Sequence, residues 1–195
     1  MSTHSKKTVG AISAISELTE PKFIRPLKLT YTLNGTQREW EAVESHNSVA
    51  ILLYHKEKDA FVVVKQLRPA VLYATQKDGY MYELCAGIID KNKSDKEIAK
   101  EEILEECGYD VPLEQIEKIT TFYTSVGISG TAQTLYFSEL DDSMCINKGG
   151  GLEDENIEVL YIAREEAKAF MFNENYKKTP GMMMAFYWFF DKFAL

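Results

Sequence analysis

Carboxylate side chains crowd one short segment in the middle of the sequence, between Ser94 and Gly108. Ser94 followed three residues later by Glu97 is a capping box, which predicts that a helix begins at Asp95. Gly108 is a favourable residue for ending that helix after Cys107. The acidic residues of this segment are therefore expected to lie on a single helix.

Three of these carboxylates are predicted to share one side of the helix. At about 100° per residue, Glu102, Glu105 and Glu106 fall within an arc of about 100°. Like charges four residues apart, such as Glu102 and Glu106, destabilise a helix by roughly 0.2–0.5 kcal/mol per pair. Mg2+ or another hard divalent cation would offset that repulsion and would serve chemistry on phosphates. A solvent-exposed acidic face is the alternative that the helix composition alone leaves open.

The spacing of the segment resembles the signature of the Nudix hydrolases. That signature has a glycine, a glutamate after five residues and, after seven more, Arg-Glu-apolar-any-Glu-Glu-any-Gly-apolar. The positions that match it are Gly87, Glu102, Ile103, Glu105, Glu106, Gly108 and Tyr109. A match of this length is far more specific than a lone glycine motif.

Two positions depart from the signature. Lys93 stands where the family has its first glutamate, and Glu101 stands where it has arginine. Members of the family commonly pair those two side chains, so we expect the same ion pair here with its charges exchanged. The departures also leave open a degenerate Nudix domain that binds a nucleotide sugar without hydrolysing it.

Four further segments resemble the branch of this family that acts on nucleoside diphosphate sugars: Lys65–Val71, Glu83–Gly87, Ser125–Gly130 and Gly149–Val159. The resemblance implies hydrolysis to a nucleoside monophosphate and a sugar 1-phosphate. Within the branch, the likeness points first to UDP-glucose, giving UMP and glucose 1-phosphate. ADP-ribose or another ADP-sugar is the alternative substrate. Homodimers whose N-terminal strands help to build the partner's active site are also typical of this branch.

The resemblance assigns a role to each candidate site residue. It implies metal binding by the Ala86 carbonyl, Glu102, Glu106 and Glu155, with Mg2+ as the expected ion and Mn2+ as a substitute. Either Glu105, or Glu153 on the glycine-rich loop, would act as the general base. The expected substrate contacts are Arg68, Glu83 and Gly87. Arg68 can present a planar fork of donors to a diphosphate, although a solvent-exposed strand end would explain it equally simply.

The order of the predicted elements indicates an α/β fold. Residues 1–22 are expected to form a flexible tail, and residues 23–45 a hairpin that turns at Asn34-Gly35. Residues 46–195 form the predicted Nudix domain, with a mixed sheet in an α/β/α sandwich. Six more strands are predicted over residues 48–54, 60–65, 80–85, 116–123, 134–139 and 157–162. The strand over residues 80–85 is expected to lead directly into a loop at Ala86-Gly87. Helices are predicted over residues 164–170 and 182–193, besides the acidic helix.

The composition argues against several classes of partner. The 195 residues are 45% hydrophobic and 27% charged, with a net charge of −8 and no concentrated basic segment. Nucleic acids and anionic membranes would be repelled, so we expect neither as a partner. No apolar stretch is long enough to span a bilayer. The three cysteines show neither disulfide-framework nor zinc spacing, which favours a cytoplasmic protein.

Overall fold

The computed structural model describes residues 10–152 and 155–194. In these residues the strands are β1 Arg25–Leu33, β2 Thr36–Glu44, β3 Ser48–His55, β4 Ala60–Leu67, β5 Tyr80–Glu83, β6 Cys85–Ile88, β7 Glu117–Tyr123, β8 Ala132–Leu140 and β9 Glu158–Ala163. The helices are α1 Pro69–Thr75, α2 Asp95–Glu102, α3 Arg164–Phe172 and α4 Pro180–Lys192. A π-helical turn, Ile103–Cys107, continues α2.

Strands β3 and β4 form the centre of the main sheet. Both contain uninterrupted apolar runs, Val49–Leu53 and Ala60–Val64, and every residue of these runs is buried. Such runs are typical of strands that are covered on both faces. β3 pairs in parallel with β8 and antiparallel with β4, so the sheet is mixed. Its central path runs β5-β4-β3-β8-β7, with β6 beside β3 and β9 beside β4.

The segment from Tyr80 to Ile88 changes partner as it crosses the sheet. β5 pairs with β4, Glu83 lying opposite Val64, whereas β6 pairs with β3, Cys85 lying opposite Ile51. The prediction of one strand over residues 80–85 that leads into a loop at Ala86-Gly87 is therefore wrong. Ala86 and Gly87 lie within β6, because the chain continues in extended form along β3 after the break at Leu84.

Helices cover both faces of the main sheet. The side chains of Ile98, Ile103 and Cys107 pack with one face of β3 and β4. Phe186 and Phe189 of α4, together with Phe170 of α3, pack on the other face. Phe61 of β4 stacks against Phe186 with ring centroids 4.3 Å apart. These two layers confirm the predicted α/β/α sandwich with a mixed sheet.

The N-terminal hairpin is confirmed as a separate two-stranded sheet, β1 with β2. Asn34 and Gly35 both have positive φ, as the predicted tight turn requires. Two hydrogen bonds join the hairpin to the loop after β7: Val43 N donates to Ile128 O at 2.7 Å, and Trp40 Nε1 donates to Gly127 O at 3.0 Å.

Other elements differ from the prediction in extent. Helix α1 was not predicted, because its seven residues are too few to show a helical period. Pro69 at its first position fixes a helical φ. Residues 10–24 form no helix or strand. Residues 1–9 of the predicted tail lie outside the described residues. None of the helices in the described ranges is long and apolar enough to cross a membrane.

Candidate functional site

The main chain of β6 contacts the most deeply buried of the predicted site glutamates. Ala86 N donates to Glu106 Oε2 at 3.0 Å, and the Cys85 thiol hydrogen-bonds to the same carboxylate. Because the N–H and C=O of a strand residue point to the same side, the Ala86 carbonyl also faces the Glu106 side of β6. The Ala86 carbonyl oxygen and the Glu106 carboxylate therefore lie on the same side of β6.

Helix α2 begins as the sequence predicts and ends differently. Ser94 accepts from Glu97 N while the Glu97 side chain accepts from Ser94 N, so the capping box is complete. Gly108 ends the helix in a left-handed conformation, φ 79°. The last turn, however, is π-helical and not the predicted α-helix. A π-turn inserts an extra residue into the hydrogen-bonding ladder and recurs at functional sites, and here it contains Glu105 and Glu106.

Burial gives the glutamates of this helix unusual protonation properties. Glu106 is only 5% exposed, and burial raises its pKa to about 8. Burial also raises the pKa of Glu102 to about 7, and the charges of Glu105 and Glu155 add to that increase. A positive charge beside these carboxyl groups would lower both pKa values, because it favours the charged form.

Gly87 leaves room for Glu102. A Cβ atom placed on Gly87 would overlap the carboxyl group of Glu102. The strand and the helix therefore approach each other closely at this pair, and the Glu102 carboxylate lies against the main chain of β6. This packing, and not a special backbone angle, explains the glycine at position 87.

The glycine-rich loop before β9 carries Glu155 to the same region. The Glu155 side chain accepts from Leu152 N at 3.0 Å, and its charge contributes to the raised pKa values of both Glu102 and Glu106. Glu155 is exposed, in contrast to Glu106. Glu153, the other predicted residue of this loop, lies outside the described residues.

The predicted substrate contacts Arg68 and Glu83 form an ion pair. Arg68 Nε donates to Glu83 Oε2 at 2.7 Å. Arg68 is the N-cap of α1, and its own N–H donates to Gly79 O, so its main chain is held in place. Because only Nε is used in this bond to Glu83, the guanidinium fork can still present its terminal nitrogens to an anion.

The exchanged ion pair of the signature is present. The ammonium of Lys93 bonds to the Glu101 carboxylate, and Lys91 Nζ contacts the other oxygen of that group at 3.2 Å. The contact of Lys91 with Glu101 was not predicted, although a second lysine so close to Lys93 in the sequence was a usable signal. The two lysines lower the pKa of Glu101 through hydrogen bonds.

The donor set fits a hard divalent cation that shares its coordination with a substrate. Within residues 10–152 and 155–194, no group of three or more His, Cys, Asp or Glu side chains forms a metal cage. Mg2+ is usually held by one or two carboxylates together with substrate phosphates and water. Half-buried Glu102 and buried Glu106, both with raised pKa values, provide oxygen donors of this kind beside the Ala86 carbonyl.

Similarity to known proteins covers most of the chain. The chain is 32% identical to the uridine diphosphate glucose pyrophosphatase of Bos taurus, over 91% of this chain and 93% of that protein. It is 34% identical to the enzyme of the same name from Mus musculus, over 87% of this chain and 89% of that protein. The chain belongs to the Nudix hydrolases.

Bacterial proteins that are named for another nucleotide sugar are also similar. The GDP-mannose pyrophosphatase of Citrobacter koseri is 37% identical over 72% of this chain and 75% of that protein. No protein-family profile matches the chain. Membership of the Nudix hydrolases therefore rests on the long alignments with individual relatives, and the predicted Nudix fold agrees with the observed sandwich and N-terminal hairpin.

Proposed function

We propose that this Nudix hydrolase cleaves the diphosphate of a nucleoside diphosphate sugar with the help of Mg2+. The observation that carries the proposal is the pair of carboxyl groups with raised pKa values, half-buried Glu102 and buried Glu106, beside the carbonyl of Ala86. UDP-glucose is the leading substrate, because the mammalian relatives that cover about nine-tenths of the chain are named for it. UMP and glucose 1-phosphate would be the products.

The proposed metal ligands are Glu102, Glu106, Glu155 and the Ala86 carbonyl. A bound divalent cation would neutralise the diphosphate and lower the pKa of a coordinated water. Mn2+ has the same preference for oxygen ligands and is expected to replace Mg2+. Glu106 is held in orientation by the Ala86 amide, so its carboxylate does not have to reorganise when the cation arrives.

Other residues of the protein would provide the general base and the substrate contacts. We propose that Glu105, half-buried beside Glu106, or Glu153 of the glycine-rich loop accepts the proton of the attacking water. Arg68 would orient the diphosphate, with Glu83 holding the guanidinium in place. Gly87 would contact the substrate only through its main chain, since its lack of a side chain leaves room for the Glu102 carboxyl group.

A direct assay tests this proposal. Purified protein is incubated with UDP-glucose, GDP-mannose or ADP-ribose in Mg2+, and the nucleotide products are separated by anion-exchange chromatography, with EDTA as the control. We expect metal-dependent release of UMP that exceeds release of GMP or AMP. GDP-mannose is the second candidate, because the bacterial relatives are named for it. Absence of product from all three, with retained binding of UDP-glucose, would instead favour a non-catalytic nucleotide-sugar module.

We also propose that the N-terminal hairpin mediates a homodimer. Leu29, Tyr31 and Leu33 alternate along β1 and are 40–45% exposed, and Trp40 lies directly opposite Leu29. A two-stranded hairpin is marginally stable on its own, and an apolar face of this kind is typical of an interface. A second copy of the chain would cover this face and stabilise the hairpin.

Sedimentation experiments distinguish a monomer from the proposed homodimer. We expect the wild-type protein to sediment at twice the 22.3 kDa mass of the chain. Leu29→Lys places a charge on the apolar face and should give monomers. Thr30→Lys is the matched control, because Thr30 points to the opposite face and pairs with Glu39. Equal sedimentation of both variants with wild type would exclude this interface.

A cytoplasmic location remains a prediction from the sequence.

A further inference from the structure

The glycine run before Glu155 is bonded directly to the catalytic helix. Gly150 N donates to Glu106 O at 2.9 Å, and Gly151 N donates to Glu105 O at 3.1 Å. The acceptors are the main-chain carbonyls of two residues whose side chains belong to the candidate site. Helix-terminal carbonyls that would otherwise lack a partner are thereby satisfied by the loop.

The close approach of loop and helix requires a glycine at position 149. A Cβ atom there would overlap the main-chain oxygen of Glu106, and backbone atoms cannot move aside as the end of a flexible side chain can. Gly149 also has φ +63°, which most side chains disfavour. Gly149 N donates to Asn147 Oδ1 at 2.7 Å, which fixes the entry to the run.

The run also determines where Glu155 lies. Glu155 N donates to Leu152 O at 2.7 Å, and the Glu155 carboxylate accepts from Leu152 N, so Glu155 is bound to the residue that directly follows Gly151. A Cβ atom on Gly151 would overlap that carboxylate. Farther along, Ile157 N donates to Gly150 O at 3.3 Å, so the same glycine joins the helix end to the segment that enters β9.

We infer that Gly149–Gly151 form a positioning strap, which sets the location of Glu155 relative to Glu105 and Glu106. Gly149 and Gly151 allow close approach, and Gly150 adopts a φ of +117° that side chains disfavour. Two main-chain hydrogen bonds, from Gly150 N and Gly151 N, tie the loop that carries Glu155 to the backbone of the helix. This inference rests on the proposed function, because it takes Glu155 and Glu106 to act on one substrate.

Substitution of Gly149 tests the strap. Gly149→Ala should push the loop away from the helix, lowering kcat by about tenfold to a hundredfold, since small misplacements of reacting groups cost rate on that scale. KM for the nucleotide sugar should change far less than kcat. Without substrate, the concentration of Mn2+ needed for half-saturation should rise, as measured by the electron paramagnetic resonance signal of free Mn2+. This second readout does not depend on turnover.

Two further variants separate the possible causes. Gly149→Asn tolerates positive φ but retains the overlapping Cβ, so it should be impaired as strongly as Gly149→Ala. Rescue of activity by asparagine would mean that backbone strain alone is responsible and would overturn the inference. Gly130→Ala is the matched control, because a Cβ atom at Gly130 meets nothing within 4 Å. It should retain wild-type kcat and Mn2+ binding.

Hydrogen exchange in the wild-type protein keeps the inference testable if the Gly149 variants do not fold. The amides of Gly150 and Gly151 should exchange as slowly as those in the body of α2. Rapid exchange at both amides would overturn the strap, as would wild-type kinetics and Mn2+ binding in folded Gly149→Ala. Failure of the proposed function gives a different result: the wild-type protein would release no nucleotide, while exchange and Mn2+ binding would still decide whether the strap exists.

Discussion

The amide of Ala86 donates a hydrogen bond of 3.0 Å to the carboxylate of Glu106, and this bond joins strand β6 to the π-helical end of the acidic helix. A backbone donor favours the charged form of a carboxylate, whereas burial opposes it. Burial dominates here, because the pKa of Glu106 is raised to about 8. The site therefore has an oriented carboxyl group that a cation would convert to its charged form.

Neutralising Glu106 should abolish catalysis and leave the fold intact. Glu106→Gln retains the shape of the side chain and an acceptor for the Ala86 amide, but it removes the charge that would hold the cation. We expect kcat to fall by at least about a hundredfold, the scale seen when one electrostatic contact of an active site is lost. Turnover is measured with UDP-glucose and Mg2+. The control Glu114→Gln, at an exposed position, should keep wild-type turnover; equal turnover in both variants would contradict the assignment.

The stability of the metal-free protein should depend on pH in a defined direction. The pKa values of Glu102 and Glu106 lie at about 7 and about 8 in the folded protein, above the ordinary value of 4.5. The folded state therefore holds protons that the unfolded chain releases, and the free energy of unfolding falls as pH rises through about 4.5 to 8. Below that window the two states bind equal numbers of protons at these groups.

Urea unfolding in EDTA at a series of pH values measures this dependence. Glu106→Gln should reduce the fall in the free energy of unfolding between about pH 4.5 and 8, by an amount on the order of a few kcal/mol. Saturating Mg2+ should also reduce the fall in the free energy of unfolding of the wild-type protein, because a cation stabilises the charged carboxylates. A wild-type profile that rises between pH 5 and 8, or an unchanged profile in Glu106→Gln, would contradict the burial argument.

Filling the space at Gly87 should impair cation binding more than stability. A Cβ atom there would meet the Glu102 carboxyl group, which is the free end of a flexible side chain and can swing away. Gly87→Ala should therefore fold normally while displacing one proposed metal ligand. We expect the Mg2+ concentration for half-maximal activity to rise about tenfold, corresponding to about 1.4 kcal/mol of binding free energy. Gly130→Ala should leave that concentration unchanged.

Reversing the charges of the Lys93–Glu101 ion pair should largely preserve the free energy of unfolding. Lys93→Glu sets two carboxylates against each other and should lower the free energy of unfolding by a small amount, as is usual for ion pairs near the surface. Glu101→Arg alone should also destabilise, since it faces Lys91 and Lys93. The double variant Lys93→Glu/Glu101→Arg should recover most of the loss, as measured by urea unfolding. Strict additivity of the two single losses would exclude a direct interaction.

Local sequence patterns were enough to predict the features that depend on residues close together in the sequence. The capping box at Ser94 and Glu97, the turn at Asn34-Gly35 and the helix end at Gly108 are all confirmed, because each requires a particular residue type at a short spacing. The order of strands and helices along the chain likewise predicted a mixed sheet in an α/β/α sandwich. Helix α1 was missed because a seven-residue helix shows almost no periodicity.

The sequence alone determined which residues have the right chemistry: a helix rich in carboxylates, an arginine after a strand and a glycine-rich loop. Only the tertiary structure decided how they meet. The partner change between Glu83 and Cys85, the π-helical turn at Glu105 and Glu106, and the docking of Gly150 on the helix end all depend on contacts between residues far apart in the chain. Such contacts, together with the burial that raises the pKa of Glu106, arise from packing of the whole sheet, which no local pattern encodes.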